Sequence, residues 1–345
     1  YVGGIDLFKS TNGGATWDQI SKWSNNNNLA SLNIPMVHAD QHRQIMWDSN
    51  KMIFGNDGGV YFSADGGQSI VSRNNGFNTT QFYTVAVAPS TMFSQGSNSI
   101  QGKDPASFNY TTIDIQNSDD VFIAGAQDNG NIFVSNTNNV SSGIDVSGGD
   151  GAYTFFSQDP NKKYMITNYV YNSYIDLYFF GLDRWSSINS ESSANGDFIN
   201  PQDLDSNFDI LYTNYSNSEG YKIRRYSDLT SSIQKTILTN SLLNSSPTAF
   251  KVSPYTTNSS TLLVGLENGS LLKLENAEGT PSWSDIGDGN FLGSISDIEF
   301  GDTDNEIYVT FYNYGVESIY YSSNGGNTWS AKEGNLPDIP VRAIL

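Results

Sequence analysis

Ser10-Thr11-Asn12-Gly13-Gly14-Ala15-Thr16-Trp17 returns near the other end of the chain as Ser322-Ser323-Asn324-Gly325-Gly326-Asn327-Thr328-Trp329. A third copy, Ser63-Ala64-Asp65-Gly66-Gly67-Gln68-Ser69-Ile70, carries Ile where the others carry Trp. The shared pattern, Ser-x-Asn/Asp-Gly-Gly-x-x-Trp, describes a hairpin turn. The Asn or Asp accepts backbone N–H bonds inside the turn, and the glycines supply positive φ. The closing aromatic, Trp17 or Trp329, is expected to be buried between neighbouring sheets. The first two copies begin 53 residues apart, and the third begins 259 residues after the second, close to five further intervals of about 52. Three marked units and four unmarked ones make seven.

Strands fall on this grid. Segments 36–48, 81–90, 151–159, 197–204, 247–254 and 294–301 read as inner strands, each followed by two further strand-like runs with Gly, Asn or Asp at the joins. The expected fold class is therefore all-β, a seven-bladed β-propeller of four-stranded blades in a single domain over 1–345. Segment 91–120 is too long for a strand-to-strand turn and reads as an inserted surface loop. Residues 1–4 and 5–10 read as a second and a third strand without an inner one. Residues 339–345 read as an inner strand without followers, so the C-terminal strand is expected to close the ring beside residues 1–4 and remove open edges.

Composition bounds the function. Among 345 residues there are 36 acids against 17 bases, a formal charge of −19. Such a surface repels phosphate backbones and anionic lipid, which argues against nucleic-acid binding. No apolar run approaches the length of a membrane span, so no membrane insertion is expected. Cysteine is absent, so neither disulfides nor thiolate metal sites contribute.

Two sets of residues could carry chemistry. Both histidines lie in His38-Ala39-Asp40-Gln41-His42. On a strand, His38, Asp40 and His42 would face one way, spaced by roughly 6.5–7 Å, as a metal or acid–base site or as a polar ladder. Asp57, Asp128 and Asp150 each neighbour glycine or asparagine in loops expected on one face, with Asn129 beside Asp128. They could bind Ca²⁺, form the carboxylate pair of a glycosidase, or cap turns.

The repeat resembles the Asp-box, or BNR, turn of sialidase-like and sortilin-like propellers. His38-Ala39-Asp40-Gln41-His42, Gly55-Asn56-Asp57-Gly58-Gly59-Val60-Tyr61, Gly125-Ala126-Gln127-Asp128-Asn129-Gly130 and Gly148-Gly149-Asp150-Gly151 resemble, in this order, segments of a secreted family of Bacteroidota-type bacteria often described as glycosyl hydrolases. That resemblance implies secretion or cell-surface display, and a partner in the export machinery if the full-length protein carries a type IX sorting domain. It implies no substrate. The sialidase mechanism is not supported, because the six arginines are scattered and the Arg-Ile-Pro signature is missing. Asp57 before Gly58-Gly59-Val60-Tyr61 is similar to a xyloglucanase pattern. The expectation is a non-catalytic module binding a protein or glycan ligand through His38, Asp40, His42, Asp57, Asp128, Asn129 and Asp150. The alternative is a glycoside hydrolase using Asp57, Asp128 and Asp150.

Overall fold

The computed structural model describes residues 1–46, 48, 50–75, 80–93, 98–103, 110–115, 121–135, 143–159, 161–192 and 194–345. Among these residues one short 3-10 turn, Asn27–Ser31, interrupts an otherwise all-β chain. The chain divides into two compact units, Tyr1–Thr154 and Phe155–Leu345.

The first unit holds three blade-like antiparallel sheets. One has three strands, Val2–Gly3, Leu7–Lys9 and Asp18–Gln19. The next runs in sequence through Gln41–Met46, Met52–Asn56, Gly59–Ser63 and Val71–Ser72. The third pairs Phe82–Val87, Phe122–Ala126, Gly130–Val134 and Gly143–Ser147 in that order. Between its first two strands lies a separate hairpin of Asn98–Lys103 and Tyr110–Ile115, so the segment expected as a loop carries strands of its own.

The second unit holds four sheets of four strands, each a meander in chain order. Their first strands are Thr154–Phe156, Gln202–Asp205, Pro247–Val252 and Ile295–Phe300. Second strands such as Thr261–Leu266 are buried at every residue, which is why they read as unbroken apolar runs. Leu262 and Val264 pack with Tyr212, Phe250 and Leu272 in one core between sheets. Seven sheets of this kind make the chain a seven-bladed β-propeller, with four strands in six blades and three in one among the described residues.

The three repeated turns share one hydrogen-bond pattern. Asn12, Asp65 and Asn324 each accept, through Oδ1, the backbone N–H four residues on, at 2.9 Å. The Ser10, Ser63 and Ser322 hydroxyls each accept from the second glycine at 2.8–2.9 Å. That glycine has φ of 91°, 91° and 87°, where only glycine is unstrained.

Two expectations fail. Trp17 is 44% exposed rather than buried. Trp329 is half-buried, its Nε1–H donating to the Ile286 carbonyl at 2.8 Å and its ring against Phe291. The difference follows from what each turn meets. Gly67 and Gly326 sit against Ile20 and Ile286, residues just after the last strand of the preceding sheet, whereas a Cβ on Gly14 would meet nothing but the ring of Trp17. Nor does the C-terminal segment supply the closing strand. Among the described residues the three-stranded sheet gains no fourth strand, and residues 339–345 form none. Instead Val341 N donates to Phe311 O, and Ile344 N donates to Asp297 Oδ2, both within the second unit. The Ile339 and Val341 carbonyls also accept from the Ser318 and Ser296 hydroxyls, so the segment is tied to the last sheet.

Candidate functional site: an acidic groove in the first unit

Asp57, Asp128 and Asp150 lie in the loops expected of them, and all belong to the first unit. The Asp57 turn is held from both sides. Asn56 Oδ1 accepts Gly58 N at 3.0 Å, and Asn74 bonds Val60 N and Gly58 O. Asp128 occupies the left-handed region at φ 59°, in the turn between Phe122–Ala126 and Gly130–Val134. The Gly148–Gly151 run clamps that turn. Gly130 N donates to Gly149 O, Gly151 N to Ala126 O, and Asp128 N to Asp150 Oδ1. A side chain on Gly151 would meet Gly130 O at 2.0 Å, which explains the glycine there.

The histidine pentapeptide is not one strand face. Strand pairing begins at Gln41, and Asp40 before it has φ 63°, a left-handed residue that ends the extended run. His38 and Asp40 therefore stand in a loop, while His42 lies on the strand, and the expected one-sided ladder of three is not formed. His38 lies against Gly58, where a Cβ would come within 2.4 Å of its own, and its Nε2–H donates to the Asp128 carbonyl at 2.7 Å. Two chain segments 90 residues apart are thus tied by a side chain that the sequence only suggested was polar. His42 pairs with Asp57 Oδ1, and that hydrogen bond and charge hold the imidazole above its ordinary pKa.

Beside these residues lies a groove of about 560 Å³, within the range of ligand clefts. His38, Asp40, Asp128, Asn129 and Asp150 line it; Asp57 and His42 do not, although both act on it electrically. Burial pushes the Asp128 carboxyl up to about 6, and the negative charges of Asp57 and Asp150 push the same way, against the opposing effect of His38. Asp145 adds a further carboxylate to the wall, and no Lys or Arg lines the groove among the described residues.

Apolar walls complete it: Trp23, Met36, Tyr61 and Ile132. Trp23 is 50% exposed and was not singled out by any motif. Its position is fixed from below. The buried Lys22 ammonium donates to the carbonyls of Leu29 and Leu32, Lys22 N donates to Pro35 O, and Val37 N donates to Lys22 O. Asp6, whose carboxyl burial pushes up to about 6, accepts from the Trp23 backbone and from Gln19. The only sequence signal was a tryptophan standing outside the repeat register.

The acids engage neighbouring groups. Asp57 is taken by His42, Asp150 Oδ1 by Asp128 N, and no three His, Asp or Glu side chains among the described residues are grouped to hold one metal ion. No helix among the described residues is long and apolar enough to cross a membrane.

No sequence family matches the chain, and no curated protein matches it in sequence. Solved structures similar to it include YCF48 bound to D1 peptide, at 11% identity and a TM-score of 0.43, covering 87% of this chain and 84% of that one. YCF48 from Cyanidioschyzon merolae gives 13% and 0.47, with 89% and 88% covered. A nidogen/laminin complex gives 10% and 0.45, with 68% and 92% covered. Likeness at this level carries no inference about activity, and the fold class rests on the seven sheets themselves.

Proposed function

We propose that the chain is a binding module, secreted or displayed at the cell surface as part of a larger exported protein, which takes a protein or glycan ligand in the groove beside Trp23 and Asp128. The observation that carries this reading is the groove's mixed lining: exposed aromatic and aliphatic walls next to carboxylates held in fixed turns. Clefts that combine an apolar body with a few oriented polar groups are the usual form of a ligand site. The resemblance of the turns to Asp-box repeats supports export, and their shared hydrogen bonding is consistent with it.

A second reading, glycoside hydrolysis, has one observation in its favour. Burial, with the charges of Asp57 and Asp150, pushes the Asp128 carboxyl up to about 6, the direction a general acid requires. A glycan and peptide array run beside a panel of polysaccharide hydrolysis assays separates the two. Binding without turnover, lost in Trp23→Ala at an unchanged melting temperature, is the expected result. Turnover that Asp128→Asn abolishes would replace the module by the hydrolase. Binding indifferent to Trp23 would remove the groove from either reading.

A further inference from the structure

The four-stranded sheet from Gln41–Met46 to Val71–Ser72 turns a second surface away from the groove. Its pairing aligns Ile45, Ile53, Phe62 and Val71 in one unbroken row across all four strands. Arg43 lies two residues before Ile45, and Arg73 two residues after Val71, where its N–H still pairs with the Val60 carbonyl. Both arginines therefore stand on the face of that row, one at each outer strand. Tyr61, next to Phe62, lines the acidic groove, so the two surfaces are opposite faces of one sheet. Ile45 is 56% and Val71 45% exposed, and Ile53, Val60, Phe62 and Arg73 line an open hollow of about 440 Å³. The pairing puts no acidic side chain on this face among the described residues. Arg224 has Glu191 as its partner, but Arg43 and Arg73 pair with no carboxylate among the described residues. In a chain of 36 acids and 17 bases that is a local inversion of charge. An apolar strip between two cations matches a ligand that is apolar in its middle and anionic on both sides. The outer strands lie three spacings apart, about 14 Å. A second copy meeting this face by a two-fold contact would bring the same two cations and no anion. A single lipid headgroup would reach one arginine and leave the other. An extended polypeptide crossing the strands fits: its residues i, i+2 and i+4 face one way, and i to i+4 spans about 13 Å.

We propose that this face docks an extended segment of a partner polypeptide, with acidic residues at i and i+4 on Arg43 and Arg73 and an apolar residue at i+2 in the hollow beside Ile53 and Phe62. Each carboxylate takes a guanidinium that can donate two parallel bonds. The Arg73 guanidinium already lies over the Phe62 ring at 5.2 Å, which limits the cost of ordering it. Covering Ile45 and Val71 removes apolar surface from water and adds to the affinity. The net charge of −19 opposes an acidic ligand at long range, so its binding requires a local site and cannot come from bulk attraction.

The test uses the full chain and a dye-labelled decapeptide, Gly-Ser-Gly-Asp-Ser-Leu-Ser-Asp-Gly-Ser. One twin carries Asn for both Asp, and another carries Ser for Leu, so the unaltered protein is tested before any variant. Fluorescence anisotropy should show saturable binding of the parent peptide, weaker at higher salt, and at least about tenfold weaker binding of either twin. Arg43→Gln with Arg73→Gln should weaken the parent by about tenfold or more. Ile45→Ser with Val71→Ser, which leaves the charge untouched, should do the same. A control protein with Arg184→Gln and Arg342→Gln removes the same charge elsewhere and should bind as the wild type does. No saturable binding, equal binding of the Asn twin, or equal loss in the two arginine pairs would overturn the proposal. Self-association in sedimentation velocity that Arg43→Gln with Arg73→Gln abolishes would assign the face to a second copy and overturn the partner segment. Binding to phosphatidylglycerol vesicles, lost in the same variant, would assign it to a membrane surface and overturn it likewise.

Discussion

Trp17 and Trp329 end the same eight-residue motif, yet only one is held. Trp329 gives its indole N–H to Ile286 and packs on Phe291, while Trp17 is 44% exposed and lies over Gly14 of its own turn. The contribution of an aromatic depends on the area it removes from water and on its partners. Trp329→Ala should therefore destabilise the protein by roughly 2–4 kcal/mol, and Trp17→Ala by less than about 1 kcal/mol. Urea denaturation of the two variants checks this, and equal losses would mean that the motif's aromatic has one role regardless of its neighbours. The motif predicts the turn at both sites because Ser, Asn and Gly satisfy one another within eight residues. It cannot predict burial, because Ile286 is 43 residues from Trp329. The same limit explains Asp40. A left-handed aspartate breaks the strand that alternation implied, and nothing local distinguishes it from an aspartate inside a strand.

At the scale of the element, the repeated turn is a two-sided device. Its Ser and Asn/Asp groups close the hairpin, and its second glycine admits the neighbouring sheet. A Cβ on Gly326 would lie 2.8 Å from Ile286 Cβ, in a backbone conformation at φ 87° that disfavours any side chain. Gly326→Ala should thus cost more than about 1 kcal/mol through strain and displaced packing together. Gly13→Ala, at φ 71° with open space around it, should cost only the conformational part. Paired melting curves measure the difference, and a smaller loss at Gly326 would show that the sheets do not rely on the contact. Turn spacing made the seven units legible, and the strands fall within a few residues of where the spacing puts them. The groove was only half legible. Asp57, Asp128 and Asp150 stood out as acids in turns, but Trp23 and Asp145 did not. Their place is set by the buried Lys22 bonds and by the pairing of Asp145 with Ile132, neither of which has a local signature.

Across the whole molecule, burial raises the proton affinity of carboxyls in both units. Asp6 in the first unit and Asp203 in the second are each pushed up to about 6, chiefly by loss of solvent. Hydrogen bonds oppose the shift at both: the Trp23 backbone and the Ser21 hydroxyl at Asp6, and Val252 N and Leu204 N at Asp203, where the Lys251 charge helps. An acid whose folded pKa lies above its unfolded value near 3.8 binds more protons folded than unfolded between the two. Stability then falls as pH rises through that window, from about 4 to about 6, and levels off above it. Asp65 acts in the opposite sense but elsewhere. Its bonds from Ser69 lower it to about 2, so its stabilisation is already complete above pH 4 and is lost only in stronger acid. Mutual repulsion within a chain of net charge −19 adds to the fall as the remaining acids ionise. The melting temperature should therefore peak near pH 4 to 5, on the acid side of the usual optimum, and drop towards neutrality. Asp203→Asn should flatten that drop, because the amide keeps an acceptor for Val252 N and carries no charge to desolvate. A melting temperature that climbs from pH 4 to pH 7 in the wild type, or a slope unchanged in Asp203→Asn, would show that these carboxyls are solvated as well in the folded chain as in the unfolded one.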